Sequence, residues 1–150
     1  MCYNNQEHLK LISLYLNFKN ENKSMISEDS TSLTKLRKYE GQLCDHLFWV
    51  KRSDFFLLIR NYITNSINIE QFNIEFSFLW YDRMKKFNAS KFNLAYLNGF
   101  DPDFKSQNFS TYMTAIFRVL EELEDEISSE DNVKNYILYV TYKNFPSIIP

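Results

Sequence analysis

The sequence predicts an all-α protein, an antiparallel four-helix bundle with an extra N-terminal helix or helices. Three observations carry that expectation. Apolar residues recur at steps of three and four through most of the chain, the period of helices with one buried stripe. Only two glycines and three prolines occur in 150 residues, too few for the regularly spaced turns of sandwiches and barrels. Residues suited to helix caps stand just ahead of several periodic segments. A chain of this length supports one domain with a substantial core. It divides into an N-terminal extension and linker, residues 1–32, and a single helical-bundle domain, residues 33–150, with the four main helices in 53–145.

In chain order, Leu9, Ile12 and Leu16 mark a short first helix. The polar run 20–32, rich in Ser and Asn, reads as a loop or linker, and Met25 within it offers a second start. Leu33, Leu36, Leu43, Leu47 and Val50 mark a helix over about 32–51, weakened by Gly41. Ser53 or Asp54 is expected to cap a helix through about Thr64 that turns Phe55, Leu58, Ile59, Tyr62 and Ile63 inward. Asn68 followed by Gln71 is a capping-box variant ahead of a helix over about 69–87. That helix is apolar on two sides, with Phe72, Phe76, Leu79 and Trp80 on one and Ile74, Phe78 and Tyr81 on the other. It is therefore expected at the centre of the bundle. Residues 88–107 form a long connection with turn signals at Asn98-Gly99 and Asp101-Pro102-Asp103.

The next helix carries the sharpest pattern in the chain. Phe109, Tyr112, Met113, Ile116, Phe117, Leu120, Leu123 and Ile127 form its inward stripe, and Glu121, Glu122, Glu124, Asp125 and Glu126 occupy the other faces of its last two turns. Ser129 then caps a last helix near 130–143 with Val133, Tyr136, Ile137 and Val140 inward, although its Tyr-Ile-Leu-Tyr-Val-Thr-Tyr run is β-prone.

Asn, Ile, Lys, Phe and Tyr make up 64 of the 150 residues, while Gly, Ala, Pro and Arg supply 13. The first set has A/T-rich codons and the second G/C-rich ones, which points to an AT-rich genome: an organelle, an endosymbiont or a low-GC bacterium. Mutational bias alone accounts for many single Asn and Tyr residues. Cys2 and Cys44 make no CxxC pair or disulfide framework, as suits a reducing interior. The N-terminus has no basic n-region, and Leu11–Phe18 is too short and polar to span a bilayer. We expect a soluble intracellular protein with no membrane partner.

Charge is unevenly spread within a net −2. Residues 1–100 carry 13 basic and 10 acidic groups, whereas residues 101–131 carry 2 and 9. Such an acidic block argues against direct nucleic-acid binding, which needs clustered Lys and Arg.

Catalytic constellations do not assemble. Cys44-Asp45-His46 holds a nucleophile, an acid and a base in sequence, but neighbours one and two apart on a helix point in different directions. His8 and His46 alone make no zinc site. Asp101 and Asp103 offer oxygen ligands without the further carboxylate spacing of a calcium loop. The expectation is no enzyme, no cofactor and no metal. Trp80 reads as core and Asp82 with Arg83 as a solvated pair. The chemistry left is the anionic surface of Glu121, Glu122, Glu124, Asp125 and Glu126, with Asp101 and Asp103 (and Glu130 and Asp131) expected to gather around it. Such a surface suits a basic protein partner.

Three stretches carry a resemblance. They are residues 54–76, from Asp54-Phe55-Phe56 through Phe72 and Phe76; Phe100-Asp101-Pro102-Asp103-Phe104; and the helix ending Leu120-Glu121-Glu122-Leu123. Over about two-thirds of the chain, residues 53–145, these resemble the bacterial self-protective colicin-like immunity family, of the colicin D immunity type. Members pair a short helix, a tight turn and a Phe-x-x-x-Phe helix with an acidic-aromatic loop and a closing helix; here Gly99–Asp103 stands for that loop. The resemblance implies a small helical bundle that binds and neutralises a toxin, often a basic nuclease domain. Residues before about 50 have no counterpart, and a plastid-encoded member fits the codon bias. The rival reading is an organelle-encoded helical interaction or assembly module with no toxin partner.

Overall fold

The computed structural model describes residues 2–150, which contain eight α-helices, a closing 3-10 turn and no strand. The helices are α1 (Asn5–Asn20), α2 (Met25–Glu28), α3 (Ser30–Trp49), α4 (Arg52–Ile63), α5 (Ile69–Ser90), α6 (Leu94–Leu97), α7 (Ser106–Glu124) and α8 (Glu130–Asn144). The all-α expectation holds. The β-prone run in α8 is helical because Val133, Ile137 and Val140 fall on one buried stripe; packing of that stripe outweighs local preference.

Capping fixes most of the helix starts. Side chains of Asn4, Asp29, Asn68, Asn93 and Ser129 each accept a backbone N–H from the first turn of the helix that follows. The expected cap at Ser53 or Asp54 is not there: α4 begins at Arg52, so both residues lie inside its first turn. The Asp54 carboxylate still suits that position, near the positive end of the helix dipole. Helices α1, α4 and α7 end in Schellman-type turns whose left-handed residues are Asn22, Asn65 and Glu126.

Two apolar clusters hold the helices together. The larger gathers Phe48 of α3, Phe55, Leu58 and Ile59 of α4, Phe72 and Phe76 of α5, Phe109, Met113 and Ile116 of α7, and Val133 and Ile137 of α8. The smaller joins Leu11 and Ile12 of α1, Met25 of α2, Leu36, Tyr39 and Leu43 of α3, and Leu97 of α6. Helix α3 belongs to both, and it packs against α1, α2, α5 and α7.

That arrangement corrects four expectations. The stretch 20–32 is not a linker, because α2 and the start of α3 lie within it and Met25 is buried. Met25 seated in the smaller cluster and the Asp29 cap of α3 hold the polar segment in place. The connection 88–107 likewise contains α6, anchored by the fully buried Leu97. Helix α5 is not central: its second apolar side faces solvent, with Ile74 65% and Phe78 71% exposed. Finally, Ile127 lies beyond the end of α7 and is 74% exposed, because the helix stops at Glu124 before its stripe is complete.

Candidate functional site

The acidic residues expected to gather divide between the two ends of α7. Asp101 and Asp103 precede its N-terminus, while Glu121, Glu122 and Glu124 close its last turns and Asp125 and Glu126 follow. At 1.5 Å per residue, a helix of this length separates the two groups by about 28 Å. Glu130 and Asp131 stand in the first turn of α8, a short turn along the chain from the C-terminal group.

The two ends differ in their electrostatics. Negative charge ahead of a helix complements its dipole, and Asp103 Oδ1 also accepts the Lys105 N–H at 2.8 Å while its backbone carbonyl accepts the Ser106 hydroxyl. Asp101 and Asp103 line a groove of about 540 Å³ with Tyr3, Lys38 and Asp45. Their placement there is accounted for by the start of α7.

The C-terminal group has no such account. The last turn of α7 contains no basic residue, and among the described residues none of the five carboxylates enters an ion pair. Each stands at the negative end of the dipole, where a like charge costs about 0.3–1 kcal/mol. Glu126 adds strain, with φ +59° in the left-handed region, costing a non-glycine residue about 1–2 kcal/mol. The chain uses Asn at the two equivalent helix ends, Asn22 and Asn65, where that conformation is better tolerated. One neutral tether is present: Glu124 Oε1 accepts from Asn73 Nδ2 at 2.8 Å, fixing this end of α7 to the start of α5.

Cys44, Asp45 and His46 fan out around α3 toward different neighbours. Cys44 Sγ accepts from Arg83 Nη1 at 2.7 Å, and burial pushes the thiol up while the guanidinium pulls it down. Asp45 is raised by burial and lowered by Ser110. The His46 ring stands edge-on to Phe100, 4.9 Å between centroids. Arg83 corrects the expectation of a solvated pair with Asp82. It is only 6% exposed and lies 3.6 Å above the Phe48 ring, while Asp82 pairs with Lys86 at 3.1 Å. The signal was in the spacing, since Arg83 follows Phe72, Phe76 and Trp80 on the buried stripe of α5. Trp80 itself is half-buried and stacks on Phe117 at 4.0 Å. Among the described residues, no group of three or more His, Cys, Asp or Glu side chains is placed to share a metal ion.

His8 was legible only as a lone histidine. It is fully buried beneath Tyr3 and Tyr39, with Tyr3 Oη 2.8 Å from its Nδ1 and no partner for Nε2. Burial holds it below the ordinary histidine value, as it does His46. The unfolded chain therefore takes up protons first as pH falls. Stability is fully present above the unfolded value of about 6.5 and declines below it, until the depressed folded values are passed. Denaturant midpoints are expected to drop as pH falls through about 6.5, and a variant with both His8 and His46 changed to Gln should flatten that decline.

Searches against protein-family models, curated proteins and solved structures found no match. No helix among the described residues is long and apolar enough to cross a membrane.

Proposed function

We propose that this chain is a non-catalytic binding protein that captures a basic protein partner, as members of the colicin-like immunity family do, the partner being a nuclease-type toxin domain. The observation that carries this reading is the unpaired acidic end of α7, where Glu121, Glu122, Glu124, Asp125 and Glu126 accumulate against the helix dipole with no cation in the last turn. Charge maintained against local stability is expected where a partner uses it. The four-helix core implied by the resemblance corresponds to α4, α5, α7 and α8. Its support is that these helices share the larger apolar cluster and that α4 packs on α5, α5 on α7 and α7 on α8. The setting that goes with this reading is the plastid stroma or the bacterial cytoplasm.

The test starts from the basic protein that the full chain captures from its native cell, or that is encoded beside it. Changing Glu121, Glu122, Asp125 and Glu126 to Gln or Asn should leave the helical circular dichroism intact. It should slow association by about tenfold at low salt and flatten the salt dependence, since exposed charges steer encounter and are screened beyond about 8 Å at physiological ionic strength. Unchanged association kinetics would make this end a solvated surface. Co-expression should also protect cells from the partner, and failure to protect would exclude the immunity role.

A further inference from the structure

We propose that the groove between α4 and α5 is the seat of a lysine- or arginine-rich amphipathic helix of the protein partner. This rests on the basic-partner reading above and names where the partner's apolar face is held. The groove has a volume of about 410 Å³, with Leu57, Leu58, Ile74, Phe78 and Leu79 as its apolar surface. Leu57, Ile74 and Phe78 are large side chains left 61–71% exposed, a clustering that marks interaction surfaces rather than the scattered exposure of ordinary apolar residues. Leu57 and Asn61 are one turn apart on α4, as are Ile74 and Phe78 on α5, so the walls present the i, i+4 spacing that receives a partner helix. From Asp54 to Asn61 the groove runs for about 10 Å, the length of two helical turns.

Charge selects the occupant. Among the groove's lining residues Asp54 and Glu75 are ionisable, both acidic, and no cation is present. Lys51 approaches Asp54 at 3.6 Å, whereas Glu75 takes only a neutral hydrogen bond from Gln71, at 3.0 Å. On the other flank of α5, Asn73 holds Glu124, which ties the acidic end of α7 to the start of α5. An apolar strip whose lining charges are Asp54 on α4 and Glu75 on α5 complements a helix that is apolar on one face and basic at its edges. A second copy of this chain fits poorly, because a two-fold pairing through the groove would bring the Asp54 and Glu75 carboxylates of both copies into one interface.

The probe is a two-faced helical peptide of Leu and Lys, titrated into the full-length chain and followed by residue-resolved NMR shifts. Its controls are a peptide with Lys replaced by Glu and one with Leu replaced by Ser. Binding is expected to move the signals of Leu57, Ile74 and Phe78, to weaken about tenfold or more in a Leu57→Ser, Phe78→Ser variant, and to be lost with both control peptides. The substituted side chains are exposed, and unchanged circular dichroism verifies the fold. The variant with Glu121, Glu122, Asp125 and Glu126 neutralised separates the two proposals. Groove shifts that persist in it uphold the groove whatever becomes of the acidic end. Shifts confined to the acidic end, with the groove silent, overturn the groove and leave the basic-partner reading standing. Equal binding of the Glu peptide overturns a basic occupant, and concentration-dependent self-association abolished by Phe78→Ser assigns the groove to a second copy instead.

Discussion

Truncating Phe109 to Ala is expected to lower the unfolding free energy by about 3–5 kcal/mol, the range for removing a buried aromatic ring. Phe109 is fully buried in α7, and its ring meets Trp49, Phe55, Phe56, Tyr112 and Phe145 at centroid distances of 5.3–6.3 Å. These neighbours come from α3, α4, α7 and the residue that ends α8, so one deletion removes contacts from four directions. The rings around it cannot all move inward to close the hole, because each is already held by others: Phe55 by Phe48 and Phe76, and Phe145 by Tyr112. A cavity that fails to collapse puts the cost toward the upper end of the range. Ile116→Ala and Leu120→Ala, on the same stripe, should cost about 2–5 kcal/mol each. Urea titrations followed by circular dichroism measure all three, and a cost below about 1 kcal/mol for Phe109→Ala would show that the core is not organised around α7.

The stripe of α7 was readable because five of its eight positions, Phe109, Tyr112, Met113, Ile116 and Leu120, are buried at steps of three and four. The caps at Asn68 and Ser129 were readable because one short polar side chain ahead of a periodic run is a local signal. Elements α2 and α6 were not, since four residues are too few to show a period and their anchors are distant in sequence, Met25 packing with α3 and Leu97 with α1, whose Asn5 also donates to the Leu97 carbonyl. The sequence misplaces α5 for a related reason. Apolar residues on two sides of a helix are equally consistent with a central helix and with an exposed apolar face, and only the packing against α3, α4 and α7 decides between them. At the acidic surface, composition located the charges but not their distribution. Asp101 and Asp103 are near Glu121 in charge and in sequence block, yet the full length of α7 lies between them.

Replacing Leu36 by Ala is expected to destabilise the whole protein, not only its N-terminal part. Leu36 is fully buried in the smaller cluster, beside residues of α1, α2 and α6, and its truncation should cost about 2–5 kcal/mol. Both tryptophans, Trp49 and Trp80, pack against the larger cluster instead. Trp49 lies 13 residues from Leu36 along α3, which is about 20 Å of helix. Tryptophan emission therefore reports a core that Leu36 does not touch. The two clusters are coupled through α3, because a helix that contributes Leu36 and Leu43 to one and Phe48 to the other cannot unwind at one end without exposing groups at both. Urea unfolding of Leu36→Ala should thus shift tryptophan emission and far-ultraviolet circular dichroism to the same lower midpoint in one transition. If emission kept its original midpoint while ellipticity fell in two steps, residues before α3 would be a unit that unfolds apart from the larger core, closer to the N-terminal extension expected from the sequence. A common shift makes α3 the element through which the N-terminal helices set the stability of the larger core that carries the acidic end.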